Sequence, residues 1–274
     1  GILHDRVDEG WIVPMVRRPT SADAGRAIVA ILPRLIAEGR LIPAMGYIAK
    51  NETAMAAVAA SQTALSAVVA SPMAMAAGAA SETAMAAVAA SETAMAAVVA
   101  SQTAMDAIFA STTTTRTLIF TTPYINTLWG SSVAIQRFAA YLSTLSVSQG
   151  SDSYRAKITV PIDGSLVSAV SRLWGISTNP NSNYDNRAVR ARPSGNVIMD
   201  ATDVTVWTEY SGTIASGDTG LEFDVDVYYN STGTLVINTS TNVPSGKTGY
   251  SIQMSYNGTI NPHRFYGLKF TRRT

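Results

Sequence analysis

Residues 51–110 read NETAMAAVAA SQTALSAVVA SPMAMAAGAA SETAMAAVAA SETAMAAVVA SQTAMDAIFA, six consecutive copies of one ten-residue unit. Each unit opens with Ser, or with Asn in the first copy, and Ala is fixed at the fourth, seventh and tenth positions. The fifth position is Met or Leu, and the eighth is Val, Ile or Gly. Self-similarity at a fixed period predicts an array in which each unit packs on its neighbours.

The composition of these units favours helices. Ala fills 25 of the 60 positions, and Ala and Met are good helix formers. Positions 5 and 8 of a unit share one helix face. Ten residues at about 100° each make the apolar stripe slip by about 80° per unit, against about 20° for a heptad. Two solutions are open: a strongly supercoiled bundle of long helices, or a helix that restarts in every unit.

Pro72 favours the restarting helix. It stands at the second position of its unit, where the other units carry Glu or Gln. Proline costs little at the first helical position after an N-cap, because that amide has no intrahelical partner. Ser71 would be this N-cap. Since so much Ala, Met and Val would be exposed on a lone helix, we expect the array to self-assemble.

The flanking regions differ from the array. Residues 1–50 contain four prolines, with seven basic and five acidic residues interspersed, so we expect short helices, one starting at Ser21. This segment is too small for a core of its own, which indicates an attachment segment or a cap for the array. Trp11, Arg17 and Arg18 are the candidate attachment residues.

Residues 111–274 are rich in strand signals. Two stretches in it are predicted to be helical, 131–145 and 165–174. Five stretches alternate apolar and polar residues and are rich in Val, Ile, Thr and Tyr, as strands are: 156–162, 196–210, 221–230, 234–241 and 250–257. The predicted fold class is therefore α+β, with a helical shaft (51–110) followed by an antiparallel, sandwich-like head (111–274).

Composition excludes several classes of function. The chain has 274 residues, a net charge of +1, no Cys and two His. Disulfide frameworks, thiolate metal sites and Cys nucleophiles are excluded, and a strongly basic nucleic-acid binder is not expected. We predict no cofactor, no metal, no membrane insertion and no enzymatic activity.

Candidate binding residues cluster in the head. Arg187, Arg190 and Arg192 lie near one another in sequence and could grip an acidic glycan or partner. Aromatic residues could stack on sugars, and Trp207, Tyr210 and Tyr228 are the candidates.

Carboxylates in the head allow an enzymatic alternative. Glu222, Asp224 and Asp226 alternate along one predicted strand, and Glu209 is a further carboxylate. They suggest a hard-cation site or a glycoside hydrolase pair. The solvated face of a half-buried strand explains the same pattern more simply.

The units of type S-x-T-A-M-x-A-V-x-A, together with the order of segments, resemble fibre and structural proteins of tailed bacteriophages. The resemblance covers residues 51–110 and implies a homotrimer. It also implies a virion location after assembly in the host cytoplasm, attachment to other virion proteins through residues 1–50, and a head that binds a host surface. The alternatives are an architectural capsid or neck decoration without a receptor, and a glycan hydrolase.

Overall fold

A computed structural model describes residues 21–149, 155–173, 187–201, 208–226, 235–240, 251–256 and 259–274. The chain folds into two compact units, the first ending at Leu128 and the second starting at Trp129. The boundary falls later than the composition change at Ser111. The α+β architecture, helices followed by antiparallel sheets, is confirmed.

The first unit is a succession of short helices. Each decapeptide forms one helix of eight or nine residues, so the restarting helix is confirmed. Proline interrupts less than expected in α1, which runs through Pro33 for 17 residues. The helices are α1 Ser21–Ala37, α2 Leu41–Ile48, α3 Glu52–Ala60, α4 Gln62–Val69, α5 Pro72–Ala79, α6 Glu82–Ala89, α7 Glu92–Val99, α8 Gln102–Ala110, α9 Thr113–Leu118, α10 Ile125–Gly130 and, in the second unit, α11 Ser132–Ser143.

A serine N-cap lies at each sharp bend, or corner, between two successive helices of the array. The backbone of Ser91 is extended, with φ −117° and ψ 120°, and its Oγ accepts a hydrogen bond from the Ala94 amide at 3.2 Å. The first residue of every other unit is extended and capped in the same way. Pro72 occupies the first helical position, as predicted. The axes of α6 and α7 differ in direction by 104° across such a corner.

Three helices complete one turn of a solenoid, because α3 packs on α6, α4 on α7 and α5 on α8. Serines tie successive turns together. The hydroxyl of Ser91 donates to the Ala59 carbonyl at 2.8 Å, 32 positions earlier, and Ser81 and Ser101 repeat this bond with Ala49 and Val69. One hydroxyl therefore both starts a helix and joins it to the preceding turn.

The core of the solenoid lies inside a single chain. In most units, positions 4, 5, 8 and 9 are buried, as in Ala94, Met95, Val98 and Val99. Positions 2, 6 and 10 face outwards. Neighbouring turns of the same chain therefore cover the apolar stripe from which self-assembly is expected.

The ten-residue pattern extends beyond 51–110. Residues 41–50 bury Ala44, Met45, Ile48 and Ala49 at the same four positions, although they lack the opening Ser. At the start of α11, Ser131 caps the helix through the Ala134 amide and the same spacing recurs. Sequence reasoning missed these units because their polar positions depart from the consensus.

Two polar residues close the ends of the regular array. Asn51 replaces the usual Ser; its Oδ1 caps α3 through the Ala54 amide, while its Nδ2 donates to the Ser21 carbonyl at 2.7 Å. Arg116 is 9% exposed and donates to the carbonyls of Phe109 and Ser111 at the end of α8. The two exceptions therefore satisfy backbone groups at the two ends of the six consensus units.

The second unit contains two five-stranded antiparallel sheets, with strand orders β1-β2-β7-β4-β5 and β6-β3-β10-β9-β8. Buried apolar residues alternate along the strands of both, as in Leu221 and Phe223 on β7 and Leu268 and Phe270 on β10. The strands are β1 Val147–Gln149, β2 Arg155–Pro161, β3 Leu166–Leu173, β4 Arg187–Arg192, β5 Val197–Ala201, β6 Thr208–Thr213, β7 Gly220–Asp226, β8 Leu235–Ser240, β9 Ser251–Tyr256 and β10 Thr259–Arg272.

The predicted helix over 165–174 is wrong, because Leu166–Leu173 form β3. This strand pairs with β6 on one side and β10 on the other, so its backbone groups are satisfied by the sheet. The predicted helix over 131–145 is confirmed as α11, and the five predicted strands correspond to β2, β5 with β6, β7, β8 and β9.

We expect Ser91→Ala to destabilise the protein by about 2 kcal/mol, since it removes both an N-cap and a bond between turns. Ser61→Ala is the matched control: among the bonds that the structure describes, the Ser61 hydroxyl makes the cap alone. Its expected cost is about 1 kcal/mol. Urea denaturation measures both, and equal losses would contradict a contribution from the bond between turns.

Two glycine substitutions test the packing, because they should change the stability of the protein in opposite directions. Gly78 is buried in α5, yet a Cβ there would meet no atom within 4 Å, so Gly78→Ala should stabilise by about 1 kcal/mol. A Cβ at the buried Gly25 of α1 would collide with the side chains of Asn51 and Thr53, so Gly25→Ala should destabilise. Thermal unfolding followed by circular dichroism gives both signs, and a lower melting temperature for Gly78→Ala would contradict the open space.

Candidate binding surface

The structure places three of the predicted binding residues on β4, where Arg187 is the first residue. Val189 and Ala191 are buried, while Arg190 and Arg192 are partly exposed on the opposite face of the strand. Strand alternation therefore turns these two arginines away from the core. Trp207, Tyr228, Trp11, Arg17 and Arg18 lie outside the described residues, as does the side chain of Arg187.

Glu222 lies at the centre of this outward face. It is on β7, between β2 and β4, and its flanking residues Leu221 and Phe223 are buried. Its Oε1 accepts a hydrogen bond from Lys157 Nζ at 3.3 Å and another from Arg192 Nη2 at 2.5 Å. The Glu222 side chain is only 15% exposed, so one carboxylate oxygen links the cations of both neighbouring strands.

This environment keeps Glu222 ionised. Burial by itself raises the pKa of the Glu222 carboxyl, but the Arg192 hydrogen bond and the charges of Lys157 and Arg192 outweigh it. The pKa therefore lies below its ordinary value. An ionised carboxylate held by two cations suits an electrostatic or hydrogen-bonding role better than that of a general acid.

Arg190 extends the polar face to β5, where its partner Asp200 lies. Its backbone is in register with Glu222, but its Nη2 pairs with Asp200 of β5 at 3.0 Å. The face thus alternates hydrogen-bond donors and acceptors over four strands, an arrangement that could bind the hydroxyl groups of a sugar.

The remaining candidates are not brought together with the arginines. Tyr210 and Glu209 lie on β6, in the other sheet. Glu209 is exposed and Tyr210 is partly exposed. The side chains of Asp224 and Asp226 lie outside the described residues. Among the described side chains, Glu209 and Glu222 therefore belong to different sheets rather than to one carboxylate pair.

Sequence reasoning missed Asp218, which organises the loops beside β4. Its buried carboxylate accepts hydrogen bonds from the Ser194 amide and hydroxyl and from the Ala215 amide, each at 2.8 Å. The next amide, of Thr219, donates to the Arg192 carbonyl at 2.8 Å. Asp218 thus helps to fix the backbone that carries Arg192. The Ser-Gly-Asp turn at 216–218 was the only sequence signal, and it does not identify its partner.

Burial alone raises the pKa of Asp218, but the hydrogen bonds from Ser194 and Ala215 lower it by more than burial raises it. The net shift of the Asp218 pKa is therefore downward. A lowered pKa means that the native state prefers the ionised form. The resulting stabilisation is fully present above the ordinary value of 3.8 and is lost as the pH falls through the native pKa.

Within the described ranges, no group of three or more His, Asp or Glu side chains could hold a metal ion. No single helix in the described part is long and apolar enough to cross a membrane, although α6 and α7 taken together pass that test by length and composition.

Comparisons of this chain with protein-family models and with curated proteins found no match.

We expect Asp218→Asn to destabilise the protein by about 2 kcal/mol at pH 7, because an amide cannot replace the charged acceptor for three donors. The difference from wild type should shrink as the pH falls below 3.8. Denaturation curves between pH 2.5 and 7 measure it. Asp200→Asn is the control, since that side chain is 56% exposed and should change stability by less than about 1 kcal/mol. A pH-independent difference for Asp218→Asn would contradict the assignment.

Proposed function

We propose that the protein is a structural fibre of a tailed-bacteriophage virion. In this proposal the N-terminal residues attach it to other virion proteins, the solenoid acts as a spacer, and the two-sheet unit binds a host-surface glycan or another virion protein. The observation that carries the proposal is the combination, in one chain, of a self-contained repeat solenoid with a sheet domain bearing a polar, mixed-charge face.

The solenoid suits a spacer for a physical reason. Each unit buries its Met and Val against its own neighbours, so length can be added in units without designing a new core. The outward positions 2, 6 and 10 carry mostly Ala, Glu and Gln. Such a surface suits a spacer better than a catalytic site.

The outward face of β2, β7, β4 and β5 is the proposed binding surface. Lys157, Arg190 and Arg192 offer donors, and Glu222 and Asp200 offer acceptors. A surface of this kind binds individual sugars weakly, but several copies on one particle make weak binding sufficient.

The proposal includes a homotrimer, but burial of the apolar stripe is not an argument for it. The apolar stripe of the repeat does not require a partner chain, since turns of the same chain cover it. The trimer therefore rests on the resemblance to phage fibres.

The test uses phage particles and the full-length protein. Antibodies against the purified protein should label the virions that contain it, and excess protein should compete with those virions for adsorption to host cells. Arg192→Ala combined with Lys157→Ala should reduce competition at least tenfold, whereas Lys269→Ala, an exposed cation on β10 of the other sheet, should not.

The outcomes separate the alternatives. Labelling without competition would favour an architectural decoration protein without a receptor. Absence of labelling would overturn the virion proposal. Release of reducing sugar from host glycans, abolished by Glu209→Gln or Glu222→Gln, would favour the hydrolase alternative.

A further inference from the structure

The cations on the outward face of β2, β7, β4 and β5 already have carboxylate partners. Among the side chains that the structure describes there, Lys157 and Arg192 both bind Glu222. Arg190 binds Asp200. The sequence makes the arginines of β4 candidates for gripping an acidic glycan. In the folded chain, however, an acidic ligand has to compete with a carboxylate of the protein at each of these cations.

The Glu222 carboxylate is held firmly enough to resist displacement by a weak ligand. Its side chain is only 15% exposed, and its Oε1 accepts hydrogen bonds from Lys157 Nζ and Arg192 Nη2. Burial raises the pKa of the Glu222 carboxyl, but these partners bring it below its ordinary value, so the group stays ionised at neutral pH. Drawing the cations away from Glu222 would leave a largely buried charge unpaired, which is costly.

The same carboxylate repels an anion that approaches the face. An anion in contact with the Lys157 ammonium would lie within about 6 Å of Glu222, whose repulsion offsets part of the attraction. A group that penalises the wrong ligand contributes to specificity as much as a contact with the right one does. Glu222 is therefore placed to discriminate against acidic ligands.

A neutral sugar can be bound without breaking an ion pair. The hydrogen bonds of the Glu222 side chain use Oε1, which leaves Oε2 as an acceptor for a sugar hydroxyl. Two cations share this one carboxylate, so N–H donors are left over: the Lys157 ammonium has three and uses one on Glu222. Hydrogen bonds to charged groups are stronger than those between neutral groups, so adjacent hydroxyls gain from both residues.

We propose that the outward face of β2, β7, β4 and β5 selects a neutral glycan over an acidic one, and that Glu222 determines this specificity. The inference rests on the glycan-binding role in the proposed function and names the class of ligand. That ligand is an oligosaccharide of neutral hexoses, bound through adjacent hydroxyl groups at Glu222 and Lys157. Because the ligand carries no charge, its affinity should depend little on ionic strength.

The test measures binding of the full-length protein to two matched series of immobilised disaccharides. One series ends in glucose, galactose or mannose. The other ends in the corresponding uronic acids, which carry a carboxylate in place of the hydroxymethyl group. We expect at least one neutral disaccharide to bind about tenfold more tightly than its acidic counterpart, with an affinity that changes little between low and high salt.

Glu222→Gln keeps the shape of the side chain and removes its charge. It should weaken binding of the neutral disaccharide about tenfold and strengthen binding of its acidic counterpart, because the two cations then lack a carboxylate. Lys157→Gln is a second variant, which should weaken neutral binding without strengthening acidic binding. Glu82→Gln, the same chemical change at an exposed position of α6, is the matched control and should alter neither. Circular dichroism verifies that each variant is folded.

The outcomes separate this specificity from the proposed function. Tighter binding of the acidic series, or an unchanged preference in Glu222→Gln, would overturn the inference and leave glycan binding itself intact. Binding of neither series would overturn the inference together with the glycan-binding role, and would favour a virion protein as the partner. None of these results bears on the labelling of virions, so the fibre proposal and this specificity can fail separately.

Discussion

The serine hydroxyl that opens five of the six units is the interaction on which the helical part depends. An extended Ser ends one helix, and its Oγ satisfies the Ala amide at the third position of the next. The same hydroxyl donates to a carbonyl of the preceding turn in Ser81, Ser91 and Ser101. The corner directs the chain into a solenoid, and the solenoid buries the Met and Val residues. Core, surface and spacing all follow from where the helix is made to stop.

The helix restart could be predicted from the sequence because its evidence is local. Pro72 is compatible with a first helical position and incompatible with a continuous helix of low strain, and Ser71 precedes it as an N-cap. The number of helices per turn could not be predicted, because it depends on the angle at each corner and on bonds between residues 32 positions apart. The unit at 41–50 escaped detection because tertiary packing preserves its buried positions and not its polar ones.

In the second unit, strand alternation correctly placed Glu222 opposite Leu221 and Phe223. The partners of Glu222 were not predictable: Lys157 is 65 positions away, and only the register of β2 with β7 brings it close. The sequence predicts a helix over 165–174 because LVSAVSRL also fits a helical spacing of apolar residues. Pairing on both sides by β6 and β10 decides for the strand. Asp218 shows the same limit, since a Ser-Gly-Asp turn does not reveal that Ser194 will be its partner.

Residues 30 positions apart in the repeat lie one turn apart in space. This arrangement can be tested by introducing spin labels at Ala56→Cys and Ala86→Cys, exposed positions of α3 and α6 that line the same groove. The label distance would be measured by pulsed electron paramagnetic resonance in doubly labelled protein mixed with an excess of unlabelled protein, so that only distances within one chain are observed. Stacked helices lie about 10 Å apart, so we expect a label separation below roughly 25 Å. A continuous helix would separate the two residues by about 45 Å, and a distribution centred there would contradict the solenoid.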